Sequence, residues 1–217
     1  MKFLLTSSGI SNRALLNSLL NLAGKPVNQL KVVYIPTAAN VEPGDKGWLI
    51  DNLRDFQEAG FESVDIMDIA AVPLEIWKPR LEAADILVMG GGNTSYLLEQ
   101  IHSSGLAEVL PELLKTRVYL GTSAGSMVVG TDMPAEALEM VYPDESTKGE
   151  KGLRLVDFYI LPHFGSEYFP EVHEKNAQKV ADISRQTVYL LDDQTGIEVN
   201  GDSITVIGEG TCIRYER

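Results

Sequence analysis

The residues best suited to chemistry in this chain form a G-x-S-x-G run, Gly121-Thr122-Ser123-Ala124-Gly125. A strand-like segment, 118–120, directly precedes the run, and an apolar segment, 126–129, directly follows it. A serine on such a strand–turn–helix connection projects its hydroxyl above the sheet, and small neighbours are needed because the turn is strained. The helix N-terminus behind it offers free N–H groups to a developing oxyanion. We therefore predict that Ser123 is a nucleophile.

A second glycine turn, Gly90-Gly91-Gly92-Asn93-Thr94, also follows a strand-like segment, 86–89, and opens a helix. Its glycines let the backbone approach a ligand closely, and Asn93 or Thr94 can cap the helix. The run is not G-x-G-x-x-G and no phosphate-binding lysine follows, which excludes a dinucleotide site and a P-loop. Two glycine turns at neighbouring strand ends suit an oxyanion hole with two donors, and Gly91, Gly92 and Asn93 are candidate oxyanion- or substrate-binding residues in this turn.

A serine nucleophile needs a base, and the chain has 3 histidines. His102 falls on the polar side of a predicted helix, and His173 lies among glutamates at a predicted helix start, so both fit an exposed surface. His163 follows Pro162 where the predicted strand 153–161 ends, and chemistry in α/β sheets collects at the carboxyl ends of strands. His163 is therefore the predicted base.

The carboxylate that would orient His163 is left open by the sequence. Asp192 and Asp193 end the predicted strand 187–191, so one of them should point toward the site while its neighbour points away. Acids elsewhere in the chain could also fill this role, because the chain has 31 aspartates and glutamates. The candidates are Asp132, Asp192, Asp193 and Glu198.

The elements that must position these residues alternate between strands and helices over the first 120 residues. Predicted strands at 2–6, 31–35, 63–67, 86–89 and 118–120 alternate with helical stretches, one of which, 106–114, we expect to be interrupted near Pro111. This alternation indicates right-handed crossovers and a mostly parallel sheet covered on both faces.

The C-terminal third has a different pattern. It predicts a strand at 153–161, a helix at 171–185 and a strand at 187–191. Asn200-Gly201 then separates strand-like segments 196–199 and 203–207, a strong hairpin signal. The predicted architecture is a three-layer α/β/α domain spanning residues 1–217, a single domain with an antiparallel hairpin at one sheet edge.

Composition excludes several classes of protein. The 217 residues carry a formal net charge of −13, which argues against a nucleic-acid binder and against docking on an anionic membrane. No apolar run reaches the ~18 residues of a spanning helix, and the N-terminus does not resemble a signal peptide. With 1 cysteine, Cys212, and 3 histidines, an internal disulfide is impossible and a structural zinc site is not expected. We expect a cytoplasmic protein without metal.

Four motifs in register resemble the dipeptidase E (α-aspartyl dipeptidase) and cyanophycinase family of serine peptidases. They are 90–94, 121–126, Thr131-Asp132-Met133-Pro134 and Leu161-Pro162-His163-Phe164. The resemblance spans nearly the whole chain and implies a fold similar to class I glutamine amidotransferases, with serine in place of cysteine. The order of serine before histidine agrees with it, whereas an α/β-hydrolase would place its histidine last.

Carried over residue by residue, the resemblance implies Ser123 as nucleophile and His163 as base. It also implies an oxyanion hole made by the N–H of Ala124 and one from the Gly91–Gly92 turn. Two acids match the third role: Asp132 is the better motif match and Asp193 the better geometric one. Family members also carry an arginine downstream of the histidine to bind an aspartyl carboxylate. The corresponding stretch here, 170–179, has none, which leaves Asp-X specificity open.

The sequence thus predicts a serine exopeptidase acting on short peptides, with no cofactor, as a monomer or homodimer. Two alternatives come from other classes: a glutaminase-like amidohydrolase, given the implied fold, and a non-catalytic protein that binds a small ligand at the glycine turns. Cys212 does not support the glutaminase, because its surroundings predict a late strand rather than a tight turn.

Overall fold

The computed structural model of the chain describes residues 1–143 and 149–216. A seven-stranded sheet has the spatial order β3-β2-β4-β5-β1-β8-β9. Its parallel part comprises β1 (Lys2–Thr6), β2 (Lys31–Ile35), β3 (Ser63–Ile66), β4 (Ile86–Met89) and β5 (Val118–Thr122). An antiparallel hairpin, β8 (Thr195–Asn200) and β9 (Ser203–Gly208), completes the edge beside β1. The predicted mostly parallel sheet with an edge hairpin is confirmed.

Helices cover both faces of this sheet. The helices are α1 (Arg13–Ala23), α2 (Gly47–Ala59), α3 (Leu74–Ala83), α4 (Thr94–Ser103), α5 (Leu106–Leu113), α6 (Ala124–Met127), α7 (Ala135–Val141) and α8 (Glu174–Ser184). Leu15 of α1 and Phe56 of α2 pack with Leu4 on one face. Trp77 of α3 packs with Phe3 on the other, because successive strand residues point to opposite faces. The predicted three-layer arrangement is confirmed.

A second sheet of three strands was not predicted. It has the order β10-β7-β6 and comprises β6 (Phe158–Leu161), β7 (Thr187–Leu191) and β10 (Cys212–Tyr215). One face carries Leu161 and Leu190 against α7 and α8, and the other faces the main core. The individual strands were visible in the sequence, but their separation from the main sheet depends on pairing between residues far apart in the chain.

Several predicted boundaries are wrong for identifiable reasons. The strand expected at 153–161 begins at Phe158, since the N–H groups of Leu153 and Leu155 instead bond to the carbonyls of Val128 and Val129. The helix expected from residue 171 begins after His173, whose side chain caps it. These preceding segments therefore belong to loops.

Two further corrections concern a proline and a turn. Pro111 lies inside α5 and does not interrupt it. The hairpin turn consists of Gly201 and Asp202, because Asn200 still pairs with Ser203. Helix α3, which contains Pro79, was not singled out by the sequence pattern.

Among the helices of the described residues, none is long and apolar enough to cross a membrane.

Candidate active site

Ser123 lies on the turn between β5 and α6 in an unusual backbone conformation, with φ 49° and ψ −115°. A positive φ is costly for a residue with a Cβ and persists where the surroundings enforce it. The Ser123 N–H donates to the Thr6 carbonyl at 3.0 Å. The Ser126 hydroxyl donates to the same carbonyl at 2.8 Å and accepts from the Thr6 N–H at 2.9 Å. The end of β1 thereby fixes the turn.

The glycines of this turn are required by close packing. A Cβ on Gly125 would lie 2.0 Å from the Met89 carbonyl oxygen, and one on Gly121 would lie 2.7 Å from the Gly125 carbonyl oxygen. The Tyr119 hydroxyl also donates to the Gly125 carbonyl at 2.6 Å. Any larger residue would therefore push α6 away from β4 and move Ser123.

The second glycine turn lies directly beside Ser123. A Cβ on Gly91 would be 3.1 Å from the Ser123 Cβ, and one on Gly92, where φ is +128°, would be 2.3 Å from the Ala38 carbonyl oxygen. Within residues 1–143 and 149–216, the N–H groups of Gly91, Gly92 and Ala124 have no acceptor. They can therefore donate to a ligand oxygen near Ser123.

Asn93 caps the helix that follows the second glycine turn, as the sequence suggested for Asn93 or Thr94. Its N–H donates to the Ala38 carbonyl at 2.9 Å, and its side-chain oxygen accepts from the Tyr96 N–H at 2.8 Å. The side chain thus caps α4. The backbone N–H of Asn93 is therefore already used, and a role of this residue in binding a ligand would use its side-chain NH2 group.

His163 follows β6 and reaches Ser123 from the second sheet. Its Nε2 lies 2.8 Å from Ser123 Oγ, and its Nδ1 lies 2.7 Å from Asp193 Oδ1. The backbone of His163 has φ 71°, and its ring stacks on Phe169 with centroids 4.5 Å apart. Since β6 and β7 are parallel neighbours, their carboxyl ends bring His163 and Asp193 to the same edge.

Asp193 is ionised at neutral pH. Burial raises its pKa, but the hydrogen bond and charge of His163, with a hydrogen bond from Ser8, outweigh burial and lower the pKa below the usual aspartate range. An ionised carboxylate on Nδ1 requires that nitrogen to carry the proton, which leaves Nε2 free to accept one from Ser123. The arrangement can therefore activate a hydroxyl.

The comparisons with known proteins agree with this geometry. The model of peptidase family S51 matches residues 3–207. The chain belongs to peptidase family S51. The chain is accordingly a serine peptidase, a hydrolase, which confirms the expected family and the expected class of enzyme.

Relatives of this S51 peptidase carry peptidase names. An uncharacterized peptidase of Pasteurella multocida is 27% identical over 195 residues, which cover 87% of this chain and 90% of that protein. A Peptidase E of Nostoc sp. is 27% identical over 203 residues, covering 90% and 79%. A crystal structure of a provisionally named Peptidase E protein from Listeria monocytogenes has TM-score 0.75 at 22% identity, covering 96% and 98%. At this sequence identity, the similarity to the Listeria structure supports the fold of the chain alone.

The other candidate acids of this S51 peptidase have partners other than His163. Asp132 forms a two-point ion pair with Arg154, and both line a cleft of about 660 Å³ that includes neither Ser123 nor His163. Asp192 accepts from the N–H groups of Gln194 and Thr211. The remaining candidate, Glu198, accepts from the Ser18 hydroxyl. Of the candidates, Asp193 alone contacts His163.

Several residues of this site were missed by sequence reasoning. Ser7 and Ser8 precede Gly9 in a loop whose sequence suggests an ordinary turn, and Phe169 lies in an irregular segment. No local pattern marks Ser7 and Ser8, because their partners lie more than 150 positions away in the chain. The contact of Phe169 with His163 depends on how the loop between them folds. In the described part of the chain, no group of three His, Cys, Asp or Glu residues is arranged to bind a metal ion.

Proposed function

We propose that this S51 peptidase is a serine exopeptidase that hydrolyses short peptides through an acyl-enzyme on Ser123. The observation that carries the proposal is the unbroken hydrogen-bonded chain from Asp193 through His163 to Ser123, with contacts of 2.7 Å and 2.8 Å. The names of the relatives, Peptidase E and uncharacterized peptidase, favour peptides as substrates.

Acylation begins when Ser123 Oγ attacks the scissile carbonyl carbon and its proton passes to His163 Nε2. The carbonyl oxygen becomes an oxyanion, for which the N–H of Ala124 and one from the Gly91–Gly92 turn are the proposed donors. The C–N bond then breaks, and the proton moves from Nε2 to the leaving amine. Asp193 stabilises the imidazolium and fixes its tautomer.

Deacylation repeats these steps with water as the nucleophile. His163 Nε2 takes a proton from water as the water oxygen attacks the ester carbon, and the proton returns to Ser123 Oγ as the ester bond breaks. We propose that this occurs in the cytoplasm, where a reducing environment suits the free thiol of Cys212.

The decisive experiment compares wild-type protein with Ser123→Ala on a dipeptide library that includes Asp-X, basic and neutral peptides. We expect kcat to fall at least about 1,000-fold, because the nucleophile is lost. Thermal unfolding should barely change, since alanine meets the same backbone strain as serine. Ser103→Ala, on the exposed surface of α4, is the matched control and should keep full activity.

A fluorophosphonate probe separates the alternatives. Labelling that maps to Ser123 supports the proposal, whereas full turnover by Ser123→Ala contradicts it. Absence of labelling and turnover supports a ligand-binding protein, and ammonia release from glutamine without peptide cleavage supports a glutaminase.

A further inference from the structure

The proposed site is divided between two separate sheets, whose strands do not pair with one another. Ser123 follows β5 of the seven-stranded sheet, whereas His163 and Asp193 follow β6 and β7 of the three-stranded sheet. The 2.8 Å contact between Ser123 Oγ and His163 Nε2 therefore depends on how the two sheets are held together at this edge.

Ser7 connects the two sheets at this point. Its side chain is fully buried, and its hydroxyl donates to the Leu191 carbonyl at 3.1 Å while accepting from the His163 N–H at 3.2 Å. The Leu191 carbonyl also accepts from the Phe164 N–H at 2.9 Å. One hydroxyl thus joins the ends of β1, β6 and β7 and bonds the residue whose backbone has φ 71°.

The rest of the loop between β1 and α1 adds contacts to the acid-bearing segment. The Ser11 hydroxyl donates to the Asp193 carbonyl at 2.8 Å, and the Asn12 side-chain amide donates to the Gln194 carbonyl at 2.8 Å. Asn12 also caps α1 through its other side-chain atom, so the loop is tied to a regular element.

The same loop is anchored on the nucleophile side. The Thr6 hydroxyl donates to the Gly121 carbonyl and accepts from the Gly9 N–H, both at 2.9 Å. The Thr6 carbonyl accepts from the Ser123 N–H at 3.0 Å. Residues 6–12 therefore contact the nucleophile segment, the base and the acid, although none of them lies near those residues in sequence.

We propose that residues 6–12 form an inter-sheet clamp that sets the distance between Ser123 and His163, with Ser7 as its central positioning residue. The inference rests on the proposed function, because it assigns these serines a role in positioning the base. Loss of the Ser7 hydroxyl leaves the His163 N–H without its buried acceptor and removes a bond that maintains its strained backbone. The imidazole then leaves its position between Ser123 and Asp193.

A merely structural role for Ser7 would lower stability without changing the chemistry, and Ser18 provides the matched control. Ser18 is also a buried serine, 4% exposed, and its hydroxyl donates to Glu198 at 2.6 Å outside the proposed site. Ser7→Ala removes two hydrogen bonds of a buried serine and Ser18→Ala removes one, to a carboxylate, so the urea midpoints of both variants should fall.

Kinetics should separate the two variants. For Ser7→Ala we expect kcat to fall on the order of 10- to 100-fold with KM within about twofold, because small displacements of a catalytic group are costly. Ser18→Ala should keep wild-type kcat. Ser11→Ala, at a partly buried position, should fold readily and lower kcat severalfold, which keeps the test informative if Ser7→Ala folds poorly.

An NMR measurement tests the clamp without turnover. In wild-type protein the imidazole nitrogens of His163 should report a protonated Nδ1 bonded to Asp193, and in Ser7→Ala these signals should shift toward those of an unbonded histidine. Wild-type kcat and unchanged imidazole signals in both Ser7→Ala and Ser11→Ala would overturn the clamp. An active Ser123→Ala would instead overturn the proposed function, while the imidazole signals would still decide on the clamp.

Discussion

The two sides of the proposed site are positioned by different physical means. On the seven-stranded sheet, Ser123 is fixed by backbone packing so tight that a Cβ on Gly125 would lie 2.0 Å from a carbonyl oxygen. On the three-stranded sheet, His163 and Asp193 are positioned by side-chain hydrogen bonds, and the Asp193 side chain is 43% exposed. A Cβ on Gly165, two residues after His163, would meet nothing within 4 Å.

This difference suits the two tasks. A nucleophile and its oxyanion donors stabilise a transition state best when they need no reorganisation, which tight backbone packing provides. A base that receives a proton and returns it can be held by hydrogen bonds of its side chain, provided that these bonds keep its ring in place. The comparison therefore predicts that substitutions on the two sides fail differently.

The largest effect should come from removing the acid on the hydrogen-bonded side. Asp193→Asn is expected to lower kcat about 1,000-fold, because an amide no longer enforces a proton on Nδ1 of His163 or stabilises the imidazolium. The folded state should survive. Steady-state kinetics on the best dipeptide checks this, with Asp192→Asn as the neighbouring control; equal losses in both variants would contradict the assignment.

The next effect should appear as stability on the packed side. Gly125→Ala should lower the free energy of unfolding by about 3 kcal/mol or more, because its Cβ clashes with backbone that cannot move away cheaply. In Gly165→Ala the added methyl group meets open space, and only the backbone strain at φ +76° remains. This strain should lower the free energy of unfolding by about 1 kcal/mol. Urea denaturation measures both. If the two variants lose equal stability, the proposed difference between the sides is wrong.

The smallest effect should come from Asp132, which lies on neither side. Its hydrogen bond with Arg154 lowers the pKa of Asp132, so the pair stabilises the folded state above the usual aspartate pKa of about 3.9 and ceases to do so as pH falls through the lowered value. Asp132→Asn should therefore lower the urea midpoint slightly at pH 7, less in high salt, and not at all at the acid end. Its kcat should equal that of the wild type.

A changed kcat in Asp132→Asn at unchanged stability would show that this acid communicates with His163 after all. Such a result would support Asp132 as the acid of the site, the role that the sequence motif suggested for it.

Much of the nucleophile side could be read from the sequence because its determinants are local. The glycine spacing around Ser123 follows from one strand, one turn and one short helix, which span residues close together in the chain. The same holds for the turn at Gly91 and Gly92 and for the alternation that predicts the parallel sheet. What the sequence did not indicate at this turn is the hydrogen bond from the Asn93 N–H to the Ala38 carbonyl, a partner remote in sequence.

The base and acid side depended on contacts between distant residues. The sequence by itself indicated that His163 follows a strand and that one of Asp192 and Asp193 should point inward, since neighbouring residues of an extended chain point to opposite sides. Tertiary structure decided which of them does, that Asp132 pairs with Arg154 instead, and that Ser7 joins the two sheets. Such choices depend on which strands pair and how sheets pack, and these are properties of the folded chain rather than of any short segment.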